Sequence, residues 1–249
     1  MAQKLYITFG GALYDETTRL IVERAPVLGA DEVRVYDDVW LTRQEFYRQN
    51  HWLWDHLHKR GFGWYAWKPF IILHCMEKFM RDGDVVLYTD ADCYPVKPFR
   101  RFYEQTHTDG GIMLFHNRFN NRQWCKRDCF VVMAQDTVCY HDAQAAVARF
   151  MLFEKGPWRP YQFLMEWLTY CVNPLATTFD PSVLAPELEG FIEHRAEQAI
   201  LTLLAHKYGY TLYPEADEEM GVFHQANPRP PEESVITAAV VGSQYRNVE

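Results

Sequence analysis

The chain has 249 residues, 48% of them hydrophobic and 23% charged, which is ordinary for a globular protein near the upper edge of one domain. A formal net charge of −8 argues against a general nucleic-acid binder, and the basic stretch from Arg118 to Arg127 is local. No apolar run approaches the roughly 18–20 residues needed to span a bilayer. Met1 leads directly into a strand pattern with no signal-peptide character. The six cysteines show neither Cys-x-x-Cys nor zinc-type Cys/His spacing, so a reduced, cytoplasmic setting is expected. Aromatic residues are abundant at 16%, as expected of a large core or of a site lined by planar side chains.

Taken in order, Lys4–Phe9 reads as a first strand stopped by Gly10-Gly11. Asp15 is placed to cap a helix over about 16–28 that ends at Gly29. Val33–Tyr36 alternates as a second strand, closing on Asp37-Asp38. These two acids start a loop or meet a ribose or base. Thr42-x-x-Glu45 has the form of a capping box, and Phe46, Leu53 and Leu57 recur on one helical face as far as Lys59. Strand, helix, strand, helix at these lengths predicts an α/β fold with a mostly parallel sheet and right-handed crossovers.

Gly61–Trp67 is a glycine-hinged aromatic loop, and Pro69 suits the first turn of a helix reaching about Met80. Lys68 therefore stands at a helix N-terminus, either as a phosphate seat or as a surface lysine before a proline. Val85–Tyr88 reads as a buried strand leading to Asp90-Ala91-Asp92. In extended backbone, carboxylates at i and i+2 point the same way and repel, a placement that a divalent cation between them makes tolerable. Hard oxygen ligands suit Mg2+ or Mn2+. Open α/β sheets bind ligands beyond the carboxyl ends of their strands, where Asp90, Asp92 and Thr8-Phe9-Gly10 fall. A solvated turn with a capping Asp is the competing reading.

The second half changes character. Short strands are expected at Gly111–Phe115 and Phe130–Met133, helices at about 139–153 and 160–172, a helix from about His194 to Tyr208, and a last strand over Tyr210–Tyr213. These are α+β additions rather than a clear second domain. The proline-rich tail from Asn227 is expected to lie over the surface.

Two blocks carry a family resemblance. Gly63-Trp64-Tyr65-Ala66-Trp67-Lys68-Pro69 with the downstream Asp90-Ala91-Asp92, and Glu193-His194-Arg195-Ala196-Glu197-Gln198, together resemble nucleotide-sugar glycosyltransferases of the GT-A fold. The likeness is to bacterial capsule- and polysaccharide-type enzymes and, distantly, to glycogenin-like ones. Glu197 stands where that family usually has Asp, and Cys125 where Thr is expected. The resemblance spans roughly residues 60–210 and implies a single domain over 1–249. Residues 1–115 would form the nucleotide-sugar half, 116–225 the acceptor and catalytic half, and 226–249 a surface tail.

The resemblance also implies a metal-dependent hexosyltransferase moving sugar from a nucleoside diphosphate donor, UDP by family habit, to a hydroxyl of a glycan or glycoconjugate, as in polysaccharide biosynthesis. Asp90 and Asp92 would hold Mn2+ or Mg2+, with His224 as a third ligand or a merely structural histidine. Thr8, Phe9, Gly10, Asp37, Trp67, Lys68, Ala91, His194 and Arg195 would line the donor site. Trp124, Lys126, Arg127 and Glu166 would meet the acceptor. Glu197 or Asp128 would be the base of an inverting reaction. The Glu197-Gln198 pair leans instead towards retention, which requires no strong base. A sugar-nucleotide nucleotidyltransferase would need a richer glycine loop than Gly10-Gly11-Ala12. A non-catalytic sugar-binding protein would have no need of the Asp pair, and a metal-dependent hydrolase could use the same site with water as acceptor.

Overall fold

A computed structural model describes residues 2–10, 14–55, 61–156, 158–217 and 219–226. Its centre is a six-stranded sheet of order β2-β1-β3-β6-β5-β7. The strands are β1 (Lys4–Phe9), β2 (Glu32–Tyr36), β3 (Val85–Asp90), β5 (Ile112–Asn120), β6 (Gln144–Glu154) and β7 (Leu212–Tyr213). A separate ribbon pairs β4 (Cys93–Pro95) with β8 (Phe223–Gln225). β1 runs parallel to both β2 and β3, and β5 runs parallel to β7. Only β6 opposes its neighbours, so the sheet is mostly parallel. Helices Trp67–Phe79, Trp158–Cys171 and Ala196–Tyr208 cover one face; Asp15–Leu28 and Arg100–Thr108 cover the other.

Several expected elements differ. The helix expected over 139–153 is the long central strand β6. Its apolar runs Ala145–Ala148 and Phe150–Phe153, separated by the half-buried Arg149, are buried, and short apolar runs of this kind have no period that separates strand from helix. β6 also carries a bulge: Leu114 pairs with Met151 while its neighbour Phe115 pairs with Val147. The intervening residues, Ala148 to Phe150, switch the alternation. Ala146 and Ala148 face the same core layer as Met151 and Phe153, whereas Val147 faces the layer of Phe150 and Leu152.

The strand expected at Phe130–Met133 is the end of a short helix, Arg127–Val132. Its β-branched pair gives way to tertiary context, with Cys129 and Phe130 buried. Thr42-x-x-Glu45 forms no capping box: the Thr42 hydroxyl donates to Val39 O at 3.0 Å, closing the helix Asp38–Thr42. Asp37 caps that helix instead, its Oδ1 accepting from Trp40 N at 2.6 Å. The long helix expected behind Thr42 is broken at Asn50 into Glu45–Gln49 and a 3-10 turn, His51–Leu53. Leu57, Lys59, Gly11, Ala12 and the tail from Asn227 lie outside the described residues. Asp15 opens its helix as the first helical residue, while Tyr14 occupies the cap position.

The loop before Lys68 is tightly wound. Gly61, Gly63, Trp64 and Tyr65 all have positive φ, and a Cβ on Gly63 would lie 2.0 Å from the Trp54 ring. Gly83 also has positive φ, but nothing lies within 4 Å of the position a Cβ would take. Gly83→Ala is therefore expected to cost about 1–2 kcal/mol of backbone strain alone. Gly63→Ala adds overpacking of about 1–3 kcal/mol, and urea denaturation should rank the two in that order.

Candidate active site

The site is built at the carboxyl ends of β1 and β3. Trp67–Phe79 begins with Lys68 facing the sheet, and Lys68 is 4% exposed, not a surface lysine. Its Nζ lies 2.9 Å from Asp90 Oδ1, 3.0 Å from Glu197 Oε1 and 3.1 Å from Ala148 O. An ammonium has three donors, and here three acceptors take them. The Ala148 carbonyl is available because it sits in the β6 bulge. The Tyr88 hydroxyl donates to the same Asp90 oxygen at 2.5 Å. Tyr65, Trp67 and Tyr88 surround the ammonium, with ring centroids 5.1, 5.9 and 5.7 Å away.

Electrostatics separates the partners. Burial alone would depress the Lys68 ammonium, but Asp90 and Glu197 outweigh it and hold the pKa above the usual lysine range. Glu197 moves from its ordinary 4.5 to about 7, because its desolvation exceeds the attraction of Lys68 and Asp90 repels it. Asp90 is more open to water, its side chain 32% exposed against 5% for Glu197. One cation thus faces two carboxylates, and Asp92 adds a third two residues on.

Asp92 lies in the turn between β3 and β4. Gln225 Nε2 donates to its Oδ2 at 2.9 Å, and the Cys93 thiol to its Oδ1 at 3.2 Å. Arg149 holds Gln225 in turn, Nη1 to Oε1 at 2.8 Å, and pairs with the buried Glu215 and Asp217. Tyr14 belongs to this neighbourhood: burial raises its hydroxyl pKa, as do the adjacent Asp92 and Asp90. Sequence reasoning missed Tyr14, Tyr88, Arg149 and Gln225. Tyr88 reads only as part of the strand leading to Asp90, with no role of its own, and Arg149 is inside the stretch read as helix.

Asp90 and Asp92 are the two hard oxygen donors that could hold a divalent cation such as Mg2+ or Mn2+, whose other positions would be left to water and phosphate oxygens. Among the described residues no three His, Cys, Asp or Glu side chains converge as a ligand set. His224 is exposed opposite Tyr94 in the β4–β8 ribbon, the rings edge-on at 5.3 Å.

Other expected donor residues divide into two groups. Phe9 stacks on Trp67 at 4.0 Å, forming an aromatic wall beside the carboxylates. Thr8 is fully buried on the opposite sheet face, its hydroxyl unpartnered among the described residues. Gly10 serves packing, since a Cβ there would lie 2.5 Å from the Thr18 hydroxyl. Ala91 is buried in the turn.

His194 spans two loops: its Nε2 donates to Ala176 O at 2.8 Å and its Nδ1 accepts from Lys126 N at 3.1 Å. Burial and nearby Lys126 lower its pKa to about 3, so it is neutral. Arg195 pairs with Glu193 at 2.8 Å and lies 4.4 Å over the Trp124 ring.

Asp128 is buried and accepts from Val183 N and Leu184 N at 2.7–3.0 Å. Lys126 is buried as well, donating to Thr178 Oγ1 and Asp180 O. Arg127 pairs with Asp136 at 2.8 Å. Glu166 is tied to Lys207 and Tyr208 at the far end of Ala196–Tyr208, roughly 15 Å along the axis from Glu197 at 1.5 Å per residue. Gln198 is half-buried one residue beyond Glu197.

No protein-family model matches the chain, and no curated protein sequence matches it. Among solved structures it is similar to mouse xyloside xylosyltransferase 1 in its apo form, with a TM-score of 0.48 and 10% identity over 92% of this chain and 99% of that one. It is also similar to the apo WbbM bifunctional glycosyltransferase, with a TM-score of 0.48 and 8% identity over 87% of this chain, which spans 39% of the WbbM chain.

A carboxyl group with a raised folded-state pKa keeps a proton that the unfolded chain has already released. Stability from Glu197 is therefore greatest below about 4.5 and falls as pH rises towards about 7. In Glu197→Gln this dependence should vanish, and thermal unfolding at pH 5 and pH 7 should show a flatter difference than in wild type.

Proposed function

We propose that the chain transfers a sugar from a nucleoside diphosphate sugar, UDP being the first base to try, to a hydroxyl of a glycan or glycoconjugate, with Mn2+ or Mg2+ held by Asp90 and Asp92. The observation that carries this reading is the excess of carboxylate over lysine at the carboxyl ends of β1 and β3, beside the Phe9–Trp67 stack. Lys68 compensates only part of that negative charge. A bound cation would compensate the rest and place positive charge against the departing diphosphate.

In the reaction, the bond from the anomeric carbon to the phosphate oxygen breaks, and its electron pair leaves with the nucleoside diphosphate. The acceptor oxygen bonds to the anomeric carbon, and its hydroxyl proton passes to the leaving phosphate oxygen. The transition state has oxocarbenium character. Lys68, with its donors occupied by Asp90, Glu197 and Ala148 O, positions carboxylates rather than gripping phosphate.

Retention is the stereochemistry this reading favours. Glu197 is buried against Lys68 and Asp128 is bonded to backbone amides, which engages both candidate bases. Anomeric proton couplings in the NMR spectrum of the product should report the donor's configuration; an inverted product would refute retention.

The donor reading is tested by thermal shift and calorimetry against nucleotides and nucleotide sugars, with and without Mn2+. Metal-dependent binding is expected in wild type and at least tenfold weaker in Asp92→Asn, which should fold normally. No metal-dependent binding by any of these nucleotides would sink the reading.

A further inference from the structure

Eighteen residues, 178–195, separate the helix ending at Thr177 from the one beginning at Ala196, and none of them is in a helix or strand. Irregular segments longer than about 12–15 residues inside a compact domain are usually functional. This one is held from beneath by buried polar groups. Asp128 takes the amides of Val183 and Leu184, Lys126 reaches Asp180 O, and Glu187 Oε2 accepts from Arg127 N at 2.8 Å. His194 locks its end. Yet it exposes four large apolar side chains beside Asp180 and Glu189: Phe179, Val183, Leu184 and Ile192, Val183 by 75% and Ile192 by 58%.

Beneath this loop lies a cleft of about 410 Å³, within the ordinary range for small-molecule sites. Phe179, Pro181, Phe191 and Ile192 give it apolar faces, and Asp180, Glu187 and Glu193 give it carboxylates. Lys126 is the cation in its lining; even with Arg195 counted at the Glu193 carboxylate, acids outnumber bases. Such a lining repels phosphates and uronates. It suits a neutral ring that offers a C–H face to aromatics and hydroxyl protons to carboxylates.

The cleft also adjoins the candidate active site. A Cβ on Gly61 would meet the Tyr65 ring at 3.0 Å and the Phe179 ring at 3.5 Å, and Tyr65 in turn lies over the Lys68 ammonium. Gly61 thus separates Phe179, in the cleft, from Tyr65, in the wall of the ion cluster.

We propose that this cleft is the acceptor subsite and that it selects a neutral glycoside, with Phe179 and Ile192 as its contact residues. The inference rests on the sugar-transfer reading for what it calls an acceptor. It recasts Asp128 as a residue that holds the subsite open rather than a group that touches substrate, while Lys126 and His194 both line the cleft and brace its loop.

The test uses the full chain with UDP and Mn2+, probed by saturation-transfer NMR with a panel of neutral p-nitrophenyl glycosides and neutral oligosaccharides beside their uronate counterparts. At least one neutral probe should bind, with affinity reduced tenfold or more in Phe179→Ala and in Ile192→Ala. Both substitutions are at exposed positions, and UDP affinity should stay within twofold of wild type. Binding only of uronates, neutral binding unchanged in both variants, or no glycoside binding beside intact UDP binding overturns the subsite and leaves the donor reading standing. Capture of lipid vesicles through the same apolar residues, without glycoside binding, likewise overturns it. Absence of metal-dependent binding by UDP and by every other nucleotide and nucleotide sugar in wild type removes the donor reading as well.

Discussion

The ammonium of Lys68, fixed by two carboxylates and a carbonyl, is the interaction on which the candidate site depends. It joins three separately folded pieces: the helix after the aromatic loop, the end of β3 and the start of Ala196–Tyr208, with the β6 bulge supplying the carbonyl. Desolvating these charges is costly, and their mutual attraction repays it only with good geometry. Removing one partner would strand the others in a low-dielectric setting, so the cluster fixes position as much as it stabilises. Asp90 is held by both Lys68 and Tyr88, and it enters any ligand chemistry already oriented.

The backbone around this cluster is strained on both sides. Trp64 and Tyr65 precede Lys68 with φ of 45° and 61°, and Ala196 precedes Glu197 with φ of 42°. Left-handed conformations at non-glycine residues cost of order 1–3 kcal/mol each and persist where surroundings over-determine them. Here the surroundings are plain. Trp54 and Tyr65 pack against the loop glycines, and the Trp167 indole donates to Glu197 O at 2.9 Å. Two strained approaches meeting at one ion cluster suit a site whose geometry is set before a ligand arrives.

Much of this was legible in the sequence, for stated reasons. β1, β2 and β3 are short apolar runs bounded by turn residues, and their parallel order follows from the helices between them. The blocks around Lys68, Asp90 and Glu197 pointed to one location although more than a hundred residues separate the first from the last. What was not legible depends on contacts distant in the chain. β6 has no period to read, because it is buried on both faces and bulged in the middle. Lys68 reads as a phosphate seat until Glu197 and Ala148 O are known to accept its hydrogen bonds. Asp37 and Asp128 are polar residues in suggestive positions whose side chains bind backbone amides, and Lys126 binds the Thr178 hydroxyl and Asp180 O; nothing local announces that.

That last group changes how the second half of the chain is understood. Its conspicuous polar residues face inwards, towards loop amides and carbonyls, while the surface they support is apolar with an acidic floor. Buried polar groups are conformationally demanding, since each must find its partner or destabilise the fold. A loop held this way cannot easily collapse to hide Phe179, Val183, Leu184 and Ile192. The two halves are therefore opposite in design. In the first, buried apolar strands deliver charge to an open edge; in the second, buried charge keeps an apolar edge exposed. The proposed reaction, in which a sugar leaves an anionic diphosphate for a neutral hydroxyl acceptor, would use those two kinds of surface side by side. Gly61, flanked by the rings of Tyr65 and Phe179, is where they meet.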